Sequence, residues 1–248
     1  MSGHSHYATI KRQKEARDAQ KGKIFSKLAR AIQIAVKVGG GVDPETNYKL
    51  RMAIDEAKTA NMPKDNIERA INTGRVKAGD LEELVYEGFG PGGISVIVEV
   101  ATDNRNRTGQ EIKNIFEREG GGLGVPGSVS FNFEPMGLIL VKKESNVDDQ
   151  MLRLIDIGAD DVEESGDAIE VFIKPDKLRE IREKIKFSGF EINSTEVTKR
   201  PKVLQTISEP QQANKALSFL EKLEAHEDVQ KVYTNLDVPD EMLKNLSF

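Results

Sequence analysis

The chain has 248 residues, with 36 Lys and Arg against 41 Asp and Glu, and no cysteine. Disulfides and thiolate chemistry are therefore excluded, and no apolar run approaches the roughly 20 residues a membrane-crossing helix needs. Two or three domains are expected at this length, and 38% hydrophobic with 31% charged residues fits a soluble fold with modest cores. The N-terminal residues lack the apolar core of a secretory signal, so the protein reads as cytoplasmic.

The formal charge of −5 conceals a segregation. Residues 1–37 hold nine basic side chains and two acidic ones, a formal +7, which leaves −12 for the other 211 residues. Charge divided this unevenly usually reflects a partner. The competing explanation, an Arg-rich organelle transit peptide, is disfavoured because the basic pattern runs on into a well-formed helix.

Taken in chain order, residues 8–20 come first. Lys11, Arg12, Lys14 and Arg17 spread around the helical wheel and leave no apolar face to bury, so this piece is marginal as a helix on its own. Residues 21–38, KGKIFSKLARAIQIAVKV, have helical periodicity. Lys23, Lys27, Arg30 and Lys37 fall on one side, and Phe25, Leu28, Ala29, Ile32, Ala35 and Val36 on the other. Ile34 breaks the pattern by sitting among the cations. A second helix is signalled by Asp43-Pro44 and runs to about Asn61. A third starts at Pro63 and stops at Gly74. Together they predict a helical domain over residues 1–79.

The period then changes. Ile94, Val96, Val98 and Val100 alternate as a strand. Thr108 with Glu111 three residues later reads as a capping box for a helix carrying Ile112, Ile115 and Phe116. Val129, Phe131 and Phe133 read as the next strand. Residues 136–199 then supply strand, helix, two strands, helix and strand, the ferredoxin-like order. A last β-α-β follows at 203–207, 211–223 and 229–233. A lone β-α-β buries too little surface to be stable. The two incomplete pieces therefore predict a second ferredoxin-like domain, 80–134 plus 200–248, with residues 135–199 inserted in it. The expected class is multidomain α+β: a three-helix N-terminal domain followed by two ferredoxin-like α/β domains.

The stretches GHSHYATIKRQKEARDAQKGKIFSKLAR, NMPKDNIERAI, YEGFGPGG, TDNRNRT and GSVSFNF resemble the YebC/PmpR family, which also contains the mitochondrial translational activator of cytochrome c oxidase subunit I. The resemblance covers essentially the whole chain, with one local departure at Ala31, where Glu is expected. It implies three domains, a helical one and two α/β ones. It also implies a role as a DNA-binding transcriptional regulator, some members acting instead in translation at the ribosome.

The candidate site is nucleic-acid binding. Lys11, Arg12, Lys14 and Arg17 would form a basic arm, continued by Lys21, Lys23, Lys27, Arg30 and Lys37 on the first helix, all suited to phosphate contacts. Tyr7 is placed to stack on a base. His4 and His6 lie in the family motif and read as phosphate or base contacts. No further metal-ligating residue lies near them, so no metal is expected. Arg105 and Arg107 precede a predicted helix N-terminus, where anions are favoured. The bland alternative for each is a solvated cation or a local salt bridge. The glycines at 88, 90, 92 and 93 and at 120–122, 124 and 127 lack the Lys-Ser/Thr of a phosphate loop and read as turns. Asp160, Asp161, Glu163 and Glu164 read as a solvated acidic edge.

No nucleophile with an adjacent base is found, and His226 is the only histidine beyond the start of the chain. The sequence therefore predicts a non-enzymatic, cofactor-free monomer that binds nucleic acid and regulates gene expression; the family resemblance implies duplex DNA as its target, while the basic arm without a face to bury suits the alternative, ribosomal or transfer RNA. No membrane and no small-molecule substrate is expected. A protein–protein adaptor acting through the acidic domains is the reading from another class.

Overall fold

The computed structural model describes residues 21–77 and 81–239. Three helices come first: α1 (Lys21–Val38), α2 (Tyr48–Thr59) and α3 (Lys64–Lys77). Leu28, Ile32, Ala35 and Val36 of α1 close with Leu50, Ala53, Ile54 and Ala57 of α2 and Ile67 and Ala70 of α3 into one core. The cap of α2 is Asn47, whose side chain accepts from the Leu50 N–H, rather than Asp43. Asp43 closes the preceding turn, its carbonyl accepting from the Thr46 and Asn47 amides. Gly74 does not end α3. It lies where α3 crosses α1, and a Cβ there would sit 2.8 Å from the Gln33 Cα.

An antiparallel sheet follows, built from β1 (Glu82–Phe89), β2 (Ser95–Thr102), β3 (Gly122–Leu123) and, much later in the chain, β9 (Val229–Thr234). The order across the sheet is β3-β1-β2-β9. Helices α4 (Arg105–Arg118) and α7 (Pro210–Ala225) cover one face. There Val96, Val98 and Val100 meet Ile112, Phe116, Phe219 and Leu220 in a second core. The Phe116 and Phe219 rings sit edge to face, their centroids 5.0 Å apart.

Between the two parts of this sheet stands the third unit. It comprises β4 (Phe133–Lys142), α5 (Val147–Ile157), β5 (Asp161–Ser165), β6 (Ala168–Ile173), α6 (Leu178–Phe187) and β7 (Ile192–Pro201). Its antiparallel sheet has the order β5-β6-β4-β7, the ferredoxin-like arrangement. Ile139, Val141, Ile169 and Val171 pack under Leu154, Ile181 and Ile185. The chain is thus mixed α+β, helices first and sheets after.

Several local expectations are corrected. The strand β1 was not predicted, and Gly88, read as a turn, lies within it. It was hidden because Glu82 and Glu83 open it and Gly88 interrupts its alternation. Residues Ser130–Asn132 form a 3₁₀ turn instead of a strand, which leaves Phe131 71% exposed. The strand expected at 203–207 shrinks to β8 (Gln205–Thr206), paired in parallel with β10 (Leu236–Asp237). Glu163 is buried rather than solvated, because Arg200 bridges it and Asp161.

Every residue of β2 except Glu99 is buried. A strand reads as continuously apolar when both of its faces are covered. Here α4 and α7 cover one face. On the other, Ile97 packs with Val129, Phe133 and Tyr233, and α1 also comes against β2 and β9.

Candidate functional site

The sequence-predicted site divides in two. His4, His6, Tyr7, Lys11, Arg12, Lys14 and Arg17 lie outside the described residues. Lys21 and Lys23 stand in the first turn of α1. The remaining cations of that helix turn toward the sheet unit. Lys27 Nζ donates to the carbonyl of Glu224, in the last turn of α7. A cation there complements the negative end of the helix dipole. Arg30 donates to the carbonyls of Glu227 (3.2 Å) and Ala101 (3.4 Å) and forms an ion pair with Asp228. Lys37, although exposed, donates to the Leu81 carbonyl at 2.6 Å. Ile34, the residue out of pattern, is 5% exposed although it lies outside the helical core. An apolar residue among cations was the one sequence signal that this face is covered.

Asp228 is the centre of that contact. Its side chain is 3% exposed. One carboxylate oxygen accepts from Arg30, and the other from Arg107 at 3.0 Å and Thr108 at 2.6 Å. Its backbone carbonyl accepts from the Ala101 N–H at 2.8 Å. Thr108 is not a capping residue. Asn104 caps α4, accepting from the Arg107 amide, while Thr108 sits buried in the first turn.

The proton order follows from valence. Because the Thr108 hydroxyl donates to a carboxylate, it can only accept from Thr102 at 2.7 Å. Thr102 in turn accepts from the Asn104 N–H at 2.9 Å. Burial alone would raise the Asp228 carboxyl. The hydrogen bonds from Thr108, Arg107 and Arg30, with the Arg30 charge, outweigh it and hold the group at about 2.

His226 borders the cluster. Its Nδ1 accepts from the Asp228 N–H at 3.1 Å, so the neutral ring carries its proton on Nε2, which donates to Glu111 at 2.9 Å. Glu111, His226 and Asp228 bring one ligand atom each within 4.8 Å of one another. The donor set does not suit a metal ion, because both Asp228 oxygens already serve two guanidinium groups and a hydroxyl. Arg107, predicted to meet phosphate, is instead shared between Asp228 and Asp103 (2.9 Å), an arrangement that raises its already high pKa. Its neighbour Arg105, on the same first turn, is exposed and has no ion pair among the described residues.

A second polar seam joins β9 and β2 to β7. Lys231 pairs with Glu196 at 2.6 Å, Lys199 pairs with Glu99, and the Tyr233 hydroxyl donates to Glu99 at 3.2 Å. Burial, followed by the Glu99 and Glu196 charges, pushes the Tyr233 phenol up. Lys199 also lies 4.8 Å from the centroid of the Tyr233 ring.

The glycine-rich segment before β4 is held from beneath. The Glu87 carboxylate accepts from the Gly127, Val129 and Ser130 amides, each at 2.9 Å. Burial would raise this carboxyl, and those three backbone donors bring it below the usual range. Gly92 and Gly93 take φ of 77° and 76°, a turn that glycine adopts without strain. Gly88 and Gly122, read as turns, instead lie in β1 and β3, and among the described residues neither stretch forms a phosphate loop.

These features define a class: a modular α+β protein with a basic N-terminal helical unit held to a composite pair of α/β units by the Arg30–Asp228 ion pair and by cations on backbone carbonyls. Two family profiles match it, the TACO1/YebC protein N-terminal domain over residues 5–77 and the TACO1/YebC second and third domain over residues 81–236. The chain belongs to the TACO1/YebC family. It is 50% identical to a "Probable transcriptional regulatory protein" of Dictyoglomus turgidum, with 100% of both chains covered, and 49% identical to one of Dictyoglomus thermophilum, again over both whole chains. A crystal structure of a conserved hypothetical protein from Aquifex aeolicus, 41% identical, superposes with a TM-score of 0.84 over 91% of this chain and 94% of that one.

Proposed function

We infer that this protein is a regulator of gene expression that works by binding nucleic acid and not by catalysis, and that its contact with phosphate is made by the N-terminal arm and the start of α1. The observation that carries this reading is the charge segregation, +7 over residues 1–37 against −12 elsewhere. Names of regulatory proteins among its relatives agree with it. With Lys27, Arg30 and Lys37 engaged within the chain, the first contacts fall to Lys11, Arg12, Lys14, Arg17, Lys21 and Lys23, with Arg105 as an outlying cation. The acidic remainder is repelled by phosphate, so the molecule approaches with one end. No helix among the described residues is long and apolar enough to cross a membrane, and the reading places the protein in the cytoplasm.

Duplex DNA is the target that the relatives' names favour. A second reading, a translation factor on ribosomal or transfer RNA, is favoured by one observation: the charged face of α1 is packed against the sheet unit. Major-groove readout needs an exposed helix face, whereas a basic arm can follow an irregular RNA backbone.

Crosslinking in cells, with sequencing of all attached DNA and RNA, tests both. The Lys11, Arg12, Lys14 and Arg17 to Ala variant is run in parallel. Discrete promoter DNA lost in the variant supports the transcriptional reading, and ribosomal or transfer RNA lost in the variant supports the translational one. Crosslinks unchanged by the variant would remove the arm from the site.

A further inference from the structure

Two contacts join the helical unit to the rest of the chain: α2 meets β7, where Glu56 faces Lys231 and Tyr233, and α1 meets the sheet unit, where donors lie on the helix and acceptors opposite it. Lys27, Arg30 and Lys37 supply the donors. The carbonyls of Glu224, Ala101, Glu227 and Leu81 and the carboxylate of Asp228 supply the acceptors. The helical core and the sheet core share no residue, and Ile34 is the one buried apolar side chain of α1 outside the helical core. Every acceptor in this set is an oxygen of the kind that a phosphodiester also offers to Lys and Arg. The face that the sequence marks as a phosphate ridge is therefore occupied by a chemical substitute for phosphate.

The arrangement around Asp228 allows the contact to separate. A buried carboxylate that loses its only cation is strongly destabilised. Asp228 keeps two partners when Arg30 leaves. Arg107 and Thr108 both belong to α4, in the sheet unit itself. The helical unit connects to the sheet unit by the single chain segment between α3 and β1. Separation leaves Asp228 charged and paired, and returns the carbonyls to water.

We propose that the contact of Arg30, Lys27 and Lys37 with Asp228 and its neighbouring carbonyls is autoinhibitory: it masks a second phosphate-binding surface on α1, which a nucleic-acid backbone exposes by displacing the sheet unit. This rests on the nucleic-acid reading above and extends it from the arm to the helix face. In the closed form the arm makes the first contact. In the open form Lys27, Arg30 and Lys37 join it on one contiguous face.

The absence of cysteine permits a direct test on the full chain. Thr59→Cys on α2 and Gln211→Cys on α7, both exposed positions, take a donor and an acceptor dye. Distance is read by energy transfer, and affinity by titration with transfer RNA in one arm and a short mixed-sequence duplex DNA in the other. The expected result is a longer distance on saturation with the nucleic acid that binds. Asp228→Asn is expected to lengthen the distance without ligand and to bind several-fold more tightly. Lys27→Ala with Arg30→Ala should also open the protein, yet bind more weakly, because the masked surface is gone.

Binding by the unsubstituted chain with no change in distance overturns the proposal and leaves the nucleic-acid reading standing. This outcome does not depend on any variant folding. Binding by the Asp228→Asn variant alone supports a mask that is complete. Binding by neither chain defeats both the proposal and the function on which it rests.

Discussion

Arg30 and Asp228, 198 positions apart in the chain, form an ion pair that ties the first described helix to the loop before the last strand of the central sheet. The carboxylate is held at about 2 by that pair, with Arg107 and Thr108. A carboxyl whose folded pKa lies below its unfolded value, near 3.9, adds stability above the unfolded pKa. That stability is lost as pH falls through the folded one. The window is therefore about pH 5 down to pH 2. After allowance for solvent around the partly exposed arginines, the contribution is about 1–2 kcal/mol. Chemical denaturation followed across this range should show a shallower acid loss in Asp228→Asn than in the unsubstituted chain. Equal slopes would mean that Asp228 titrates normally.

Glu87 governs the order of the loop above it. Glutamine in its place retains one acceptor oxygen for three backbone donors. The expected cost is about 1–3 kcal/mol. Hydrogen exchange should speed up at the Gly127, Val129 and Ser130 amides first, while exchange in the inserted sheet stays as it was.

Gly74 sets the approach of α3 to α1. A methyl group there would lie 2.8 Å from the Gln33 Cα and 2.9 Å from its carbonyl oxygen, both backbone atoms that cannot move aside singly. Gly74→Ala should destabilise by about 1–3 kcal/mol in spite of alanine's better helix propensity. Differential scanning calorimetry would register this as a lower Tm. A rise in Tm would show that the crossing is looser than described.

The basic arm predicts a salt dependence. Each phosphate neutralised on duplex DNA contributes about −0.9 to the slope of log affinity against log salt. Removing Lys11, Arg12, Lys14 and Arg17 should reduce the magnitude of that slope by about 3 to 4 if all four make contacts. Binding isotherms at several salt concentrations measure it directly. An unchanged slope would place these side chains off the nucleic acid.

Much of the fold was legible because its periodicities are clean. The helix at Lys21–Val38 and the six elements of the inserted unit follow from patterns of 3.6 and 2 residues. The short sheet elements were not, since β3 and β8 have two residues each and carry no period at all. Helix starts were misread where two candidate caps compete. Asn47 won over Asp43, whose carboxylate closes a local turn by accepting from the Glu45 amide, and Asn104 over Thr108, whose hydroxyl is taken by Asp228. For the site, the wheel of α1 identified which side is cationic and was silent on what faces it. Asp228 could not be found from sequence. It is one acid among 41, distinguished only by three partners drawn from α1 and α4.

The inserted unit leaves and rejoins its host through strands that lie side by side. Glu134 on β4 is directly opposite Arg200 on β7 in the antiparallel ladder. Opposed residues of such a ladder are only about 4.5–5.5 Å apart, a gap that a two-residue hairpin turn closes. The intervening 65 residues thus leave and return at one place, and the pairs Lys231–Glu196 and Lys199–Glu99 hold them against the host sheet beyond it. Removing those residues and rejoining the strands by a turn would preserve the path of the host chain but leave Lys231 and Glu99 without Glu196 and Lys199. The covalent join between the two units is therefore narrow while their non-covalent join is broad, so a replacement for the insert must carry its own anion for Lys231 and cation for Glu99.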